Sequence, residues 1–374
     1  MQLEMDKELS SIHYDKYLQL NKVLDAQKLR SVDFNKPAHD EMLFIIVHQV
    51  YELWFKEIIH DLGSVKDLFS PKVVEEKNIG IAISRLDRIS KIQKILVDQI
   101  EIIETITPLD FLEFRNYLLP ASGFQSFQFR LLEVSLGLKR SNRISYTQCA
   151  YSGVFSQKEQ DILDDLENGD SMFDLVEKWL ERIPFLNFDL SKETEESFDF
   201  ISEYKKSVDR MLESESNAID NADYISDQEK HLRLKMLGET NTYFSSIFDE
   251  KAHEKKIKDG ELKLSYKATM SALLINLYRD EPILRQPYMF LQKLIDIDEL
   301  LTSWRNRHAQ MVLRTLGKKI GTGGSSGYDY LKSTADKHRI FYDLHNISTL
   351  LIPRSELPIL PVKLKEKLNF NFSK

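Results

Sequence analysis

The chain has 374 residues, 42% of them hydrophobic, with 51 basic against 59 acidic side chains and a net charge of -8. These values exclude a disordered or collagen-like chain and argue against nucleic acid as a partner, since phosphate-backbone binding relies on a positive field. Cys149 is the only cysteine, which excludes an intrachain disulfide and any thiolate metal cluster and fits a reducing cytoplasm.

From the N-terminus, Met1 to Glu8 interleave charges, and nowhere does an apolar run reach the roughly 18 residues that span a bilayer, so no membrane association is expected. With only 13 Gly and 10 Pro, turns are too few for a many-stranded sheet and an all-α fold is expected. The first long helix should run from Asp40 to Leu62 and stop at Gly63, because Met42 to Val50 is apolar on nearly every side except at His48 and Gln49. A second should span Ile79 to Thr105, with Leu86, Ile89, Ile92, Leu96, Ile100 and Ile103 on one stripe. Thr107-Pro108-Leu109-Asp110 then reads as an N-cap, a proline at the first helical position and a carboxylate in the first turn, opening a short helix to about Leu118. Residues 151–265 are rich in Glu, Asp, Lys and Ser and read as a peripheral helical subdomain between a first core segment, 1–150, and a second, 266–374. In the latter, Phe290, Leu294, Ile297, Leu301, Trp304, His308, Met311 and Thr315 alternate steps of four and three, a heptad-like seam in a helix from Pro287 to Leu316 that Gly317 ends.

Four positions carry candidate chemistry. His308 stands at a core position of the seam, either as a buried neutral imidazole or as an axial ligand to haem iron. His48 shares a helix face with Phe44, Tyr51 and Phe55, as a polar pin or as the polar group of an aromatic ligand pocket. Arg115 follows Phe111 by one turn, so its guanidinium either snorkels along apolar surface or clamps a carboxylate through two parallel hydrogen bonds. The segment Gly321 to Gly327 packs four glycines into seven residues. It lacks the lysine of a phosphate loop and the third glycine of a dinucleotide loop, leaving a flexible connection or a site-lining loop. Glu57 and His60 match one half of a di-iron element whose second half is missing.

Four blocks then carry a resemblance. They are Tyr14-Asp15-Lys16-Tyr17-Leu18 leading to Gln27; His39 to Ile45 running into His48-Gln49 and Tyr51 to Lys56; Phe114-Arg115 with Pro120 to Ser126 and Gln128-Phe129-Arg130; and Trp304-Arg305 through His308, Met311-Val312 and Arg314 to Gly317, the glycine segment and Tyr330-Leu331. In this order and spacing, with the Asp343 to Pro353 tail, the chain resembles the tryptophan 2,3-dioxygenase family. The resemblance implies a helical bundle enclosing a haem pocket, in a homotetramer that binds haem b. With O2 as co-substrate it would open the indole ring of L-tryptophan to N-formyl-L-kynurenine. It further implies His308 as proximal iron ligand, His48 as the distal catalytic group near the indole nitrogen, and Phe44 and Phe111 packed on the indole. Arg115 would sit on the substrate carboxylate, Thr322 on the ammonium or carboxylate, and Ser122 near a haem propionate. Trp304 would lie against the cofactor, while Tyr14 and Tyr17 would complete a neighbouring subunit's pocket through an exchanged N-terminal arm. A haem protein of the same fold acting on another indole, and a non-catalytic helical scaffold, are the alternative readings.

Overall fold

A computed structural model describes residues 11–144, 151–189, 197–317 and 327–369. Among them the fold is all-α apart from one antiparallel ribbon that pairs Asn187–Asp189 with Ser197–Asp199. Two helices, Glu41–Phe69 and Glu76–Asp98, form the first half of the core, and a 35-residue helix, Pro282–Leu316, packs along the second of them.

The first core helix passes Gly63 and continues to Phe69. Leu62, Val65 and Phe69 keep the three-and-four spacing and are all buried, whereas Gly63 faces open space. Burial of three apolar side chains outweighs the roughly 1 kcal/mol that a glycine costs inside a helix. The second core helix breaks once, at Gln99, whose amide donates to the Val47 carbonyl at 3.1 Å before the stripe resumes with Ile100–Ile103. The short helix Pro108–Arg115 is capped as its sequence suggests, with Thr107 Oγ1 accepting from Asp110 N, and a 3-10 turn, Asn116–Leu118, extends it.

The long helix starts at Pro282, five residues before the expected Pro287, which it accommodates in its second turn. It ends at Gly317, where φ is 60°, a conformation that favours a residue without Cβ. Phe290 from this helix stacks on Phe69 at 4.5 Å, and Trp179 meets both rings edge-on. Trp179 belongs to Met172–Glu181, so the acidic middle of the chain is peripheral only in part. That helix, together with Phe200, Tyr204 and Val208 of Phe200–Asp220, packs into the main core, while Gln157–Asn168 and most of Asp227–Phe248 stay outside.

Candidate active site

Beside the main core a smaller apolar cluster, Val47, Ile100, Ile103 and Ile106, is surrounded by Leu43, Phe44, Tyr51, Phe111, Trp304 and Met311, none of them fully buried. Side chains from the first core helix, the short helix and the long helix thus converge on one place.

On the first helix, the His48 ring lies 4.2 Å from the Phe44 ring, and His48 Nδ1 sits 2.7 Å from the Phe44 carbonyl oxygen. A carbonyl only accepts, so the proton resides on Nδ1 and the lone pair on Nε2. The ring is open on one side yet deep enough that burial depresses its pKa, against the opposing pull of the Phe44 carbonyl and the Glu52 carboxylate. The imidazole is therefore neutral at pH 7. Phe44 meets Phe111 at 5.7 Å and the fully buried Phe114 edge-on at 5.5 Å. Arg115, the last residue of the same short helix, is partly buried.

On the long helix, the rings of Trp304 and His308 stack at 5.1 Å and 20°. Burial and the facing His48 hold the His308 pKa down at about 4, so it too is neutral and has a lone pair for a metal. Its Nδ1 is buried without a hydrogen-bond partner. Trp304 Nε1 lies close enough to the Tyr51 hydroxyl to influence it, but not in hydrogen-bond geometry; that hydroxyl instead donates to the Leu96 carbonyl at 2.7 Å, and burial pushes its pKa up to about 12. Arg130 Nε is a further buried donor without an acceptor, and its guanidinium lies 5.8 Å from the Phe129 ring, which packs 5.1 Å from Trp304. Buried polar groups left unpaired in this way are rare and call for an explanation. One neutral imidazole and two donors without acceptors match what a haem needs from a protein, an axial nitrogen and hydrogen bonds to propionate oxygens. Among the described residues no group of three or more His, Cys, Asp or Glu side chains stands together to hold a bare metal ion.

Several contributors carry no sequence signal strong enough to single them out. Glu52, one turn after His48, accepts from Ser126 Oγ at 2.6 Å and from Gln128 Nε2 at 3.0 Å, fastening the Ser122–Ser126 loop to the first helix. Ser122 caps that loop by accepting from Phe124 N. Behind the long helix, Glu133, 1% exposed, accepts from Arg130 and Arg143 at 2.7 Å each and from Arg305 at 2.9 Å. Burial alone would raise its pKa; the guanidiniums of Arg143, Arg130 and Arg305 hold it well below the carboxylate range.

The structure thus brings together Phe44, His48, Phe111, Trp304 and His308, with Arg115 at the end of the short helix and Ser122 on the adjoining loop. Tyr14 and Tyr17, on the helix Tyr14–Leu18, are 69% and 71% exposed and do not join this group. Thr322 lies outside the described residues.

A family model for tryptophan 2,3-dioxygenase matches residues 2–351. The chain belongs to that family. It is 46% identical over 361 residues to tryptophan 2,3-dioxygenase of Bdellovibrio bacteriovorus, covering 96% of this chain and 99% of the relative. It is likewise 46% identical over 366 residues to that of Alteromonas mediterranea, covering 98% and 99%, and 47% identical over 363 residues to that of Dictyostelium discoideum, covering 97% and 89%. The match to the tryptophan 2,3-dioxygenase family includes residues 151–265, where none of the four sequence blocks lies.

Proposed function

We propose that this chain is a haem-dependent dioxygenase that inserts O2 into the indole ring of L-tryptophan to give N-formyl-L-kynurenine, the first step of tryptophan catabolism by the kynurenine pathway. The observation that carries this reading is one aromatic cluster in which Phe44 packs on His48 and Phe111 while Trp304 stacks on His308, whose Nδ1 is buried and unpaired, in a chain of this family.

In this reading His308 would hold the haem iron through its imidazole, and Trp304 and Ser122 would help to hold the cofactor. Haem, when bound, supplies the iron at which O2 reacts. The protein's own part is to bind, orient and exclude water. Phe44 and Phe111 wall the indole. His48, its proton fixed on Nδ1 by the Phe44 carbonyl, offers Nε2 as acceptor to the indole N–H. Arg115 holds the carboxylate in a planar fork, which supports recognition of an amino acid over a bare indole. Thr322 contacts the ammonium or carboxylate. Tyr14 and Tyr17, exposed here, act at a neighbouring subunit's pocket in a cytoplasmic homotetramer with exchanged arms; no described helix is long and apolar enough to cross a membrane. Along the chain, residues 1–150 and 266–374 build the site and 151–265 packs behind it.

The test is to supply haem, record the visible spectrum, and follow oxygen-dependent product formation from L-tryptophan. A Soret band with N-formyl-L-kynurenine is the expected result. No Soret band means a scaffold, and a Soret band without product from L-tryptophan means another indole.

A further inference from the structure

Between the exposed N-terminal helices and the first core helix, residues 26–38 touch both walls of the aromatic site. Along the first core helix, Gln27 donates to the Gln49 side chain at 2.6 Å, beside His48. Further on, the carboxylate of Glu41, fully buried, accepts from the backbone N–H groups of Arg30 and Ser31 at 2.7 and 2.9 Å and from the Ser31 hydroxyl, which in turn accepts from Ala38 N at 3.0 Å. Three donors of the segment are thus tied to the first residue of the helix that carries Phe44 and His48. Charge-assisted bonds of this kind are short and strong, which makes segment and helix one unit.

The same segment ends on the opposite wall. Phe34 stacks on Tyr117 at 4.6 Å and 17°, and the Arg30 guanidinium lies 5.5 Å from the centre of the Phe34 ring. Tyr117 sits in the 3-10 turn that begins immediately after Arg115. Phe34 is 49% exposed, so its ring adds little to the core; what the stack fixes is the end of the short helix.

We propose that residues 26–38 form a strap that sets the position of Arg115 relative to Phe44 and His48, with Phe34 and Tyr117 as positioning residues for recognition of the substrate carboxylate. The argument is geometric. A planar fork tolerates little displacement: Phe111 and Phe114 tie the body of the short helix to Phe44, and the Phe34–Tyr117 stack holds the turn that follows Arg115 directly. The proposal rests on Arg115 as the carboxylate clamp.

The experiment measures equilibrium binding of L-tryptophan and of tryptamine, which lacks the carboxylate, to haem-loaded protein by calorimetry, with haem content as a control. Phe34→Leu should weaken L-tryptophan binding roughly two- to tenfold, the equivalent of one stacked aromatic pair, and leave tryptamine binding and haem content unchanged. In turnover, KM should rise more than kcat falls, and Phe34→Tyr, which keeps the ring, should restore wild-type values. Combined with Arg115→Ala, Phe34→Leu should add nothing further. Equal weakening of both ligands, or full additivity with Arg115→Ala, overturns the strap. If Arg115→Ala abolishes the preference for tryptophan over tryptamine while Phe34→Leu leaves it intact, only the strap falls. If Arg115→Ala itself leaves that preference intact, the carboxylate clamp falls and the strap with it.

Discussion

The two halves of the helix Pro282–Leu316 share one period and differ in what they meet. In the first half, Leu284, Phe290, Leu291, Leu294, Ile297 and Leu301 are all buried, and Phe290 lies flat on Phe69. In the second, Trp304, His308 and Met311 remain partly open, and Trp304 Nε1 and His308 Nδ1 are buried without partners. Periodicity places a side chain on a face; only the partner surface decides whether that face is filled. The regular seam stops being filled, and its polar atoms go unpaired, where the proposed function puts the cofactor.

The strongest way to break this contrast is to truncate one residue from each half. Phe290→Ala should cost about 3 to 5 kcal/mol of folding stability, measured by chemical denaturation, because a fully packed ring leaves a cavity. His308→Ala should cost the cofactor-free chain less than about 1 kcal/mol, since it also removes an unpaired buried nitrogen, yet it should abolish stable haem retention. Equal destabilisation by the two would erase the distinction.

Next in size is Arg115→Ala, which should lower kcat/KM for L-tryptophan roughly thirtyfold or more, the consequence of losing a charge-assisted pair of about 2 to 5 kcal/mol. Turnover of tryptamine should be nearly indifferent to it, and Arg115→Lys should recover only part. Loss of tryptamine turnover to the same extent would make Arg115 a support of the fold.

The smallest effect concerns acid. His338 backs the second half: its carbonyl accepts from Arg305 at 3.0 Å, and its ring nitrogen accepts from Ile144 N at 3.2 Å. Burial holds its folded pKa at about 4, below the ordinary 6.5. The unfolded chain therefore binds a proton that the folded chain refuses between those values. The stability is present in full above pH 6.5 and declines as pH falls toward 4. His338→Asn should flatten that slope. Hydrogen exchange at pH 5 should show residues 302–316 opening before residues 284–301, and the reverse order would contradict the division of the helix.

Much of this was legible from one sequence. The Trp304–His308 seam, the Thr107–Pro108 cap and the shared face of Phe44 and His48 follow from spacing, since each is set within a few residues. Gly63 misled because local propensity suggested a stop where the burial of Val65 and Phe69 carries the helix on. Glu133 was hidden for another reason: it meets Arg305 across 172 positions, and charged residues at such distance have no period that joins them. Glu41 and Glu52 carry no local sign of what they hold, because the groups they bind come from outside their own helix.

The reach from Glu133 to Arg305 also imposes a timetable. At the usual pace of synthesis, about 5 to 20 residues per second, a ribosome releases the second residue roughly 10 to 35 seconds after the first. During that interval Glu133 has only Arg130 and Arg143 for company, and the second core helix lacks the surface on which it later lies. The nascent N-terminal half must be kept from aggregating until the long helix emerges. Ribosome-bound chains halted before residue 305 should accordingly be digested readily by protease, and chains halted well beyond residue 316 should resist it. His308, the proposed iron ligand, arrives three residues after the arginine that completes the scaffold, so on that proposal cofactor loading waits for nearly the whole polypeptide.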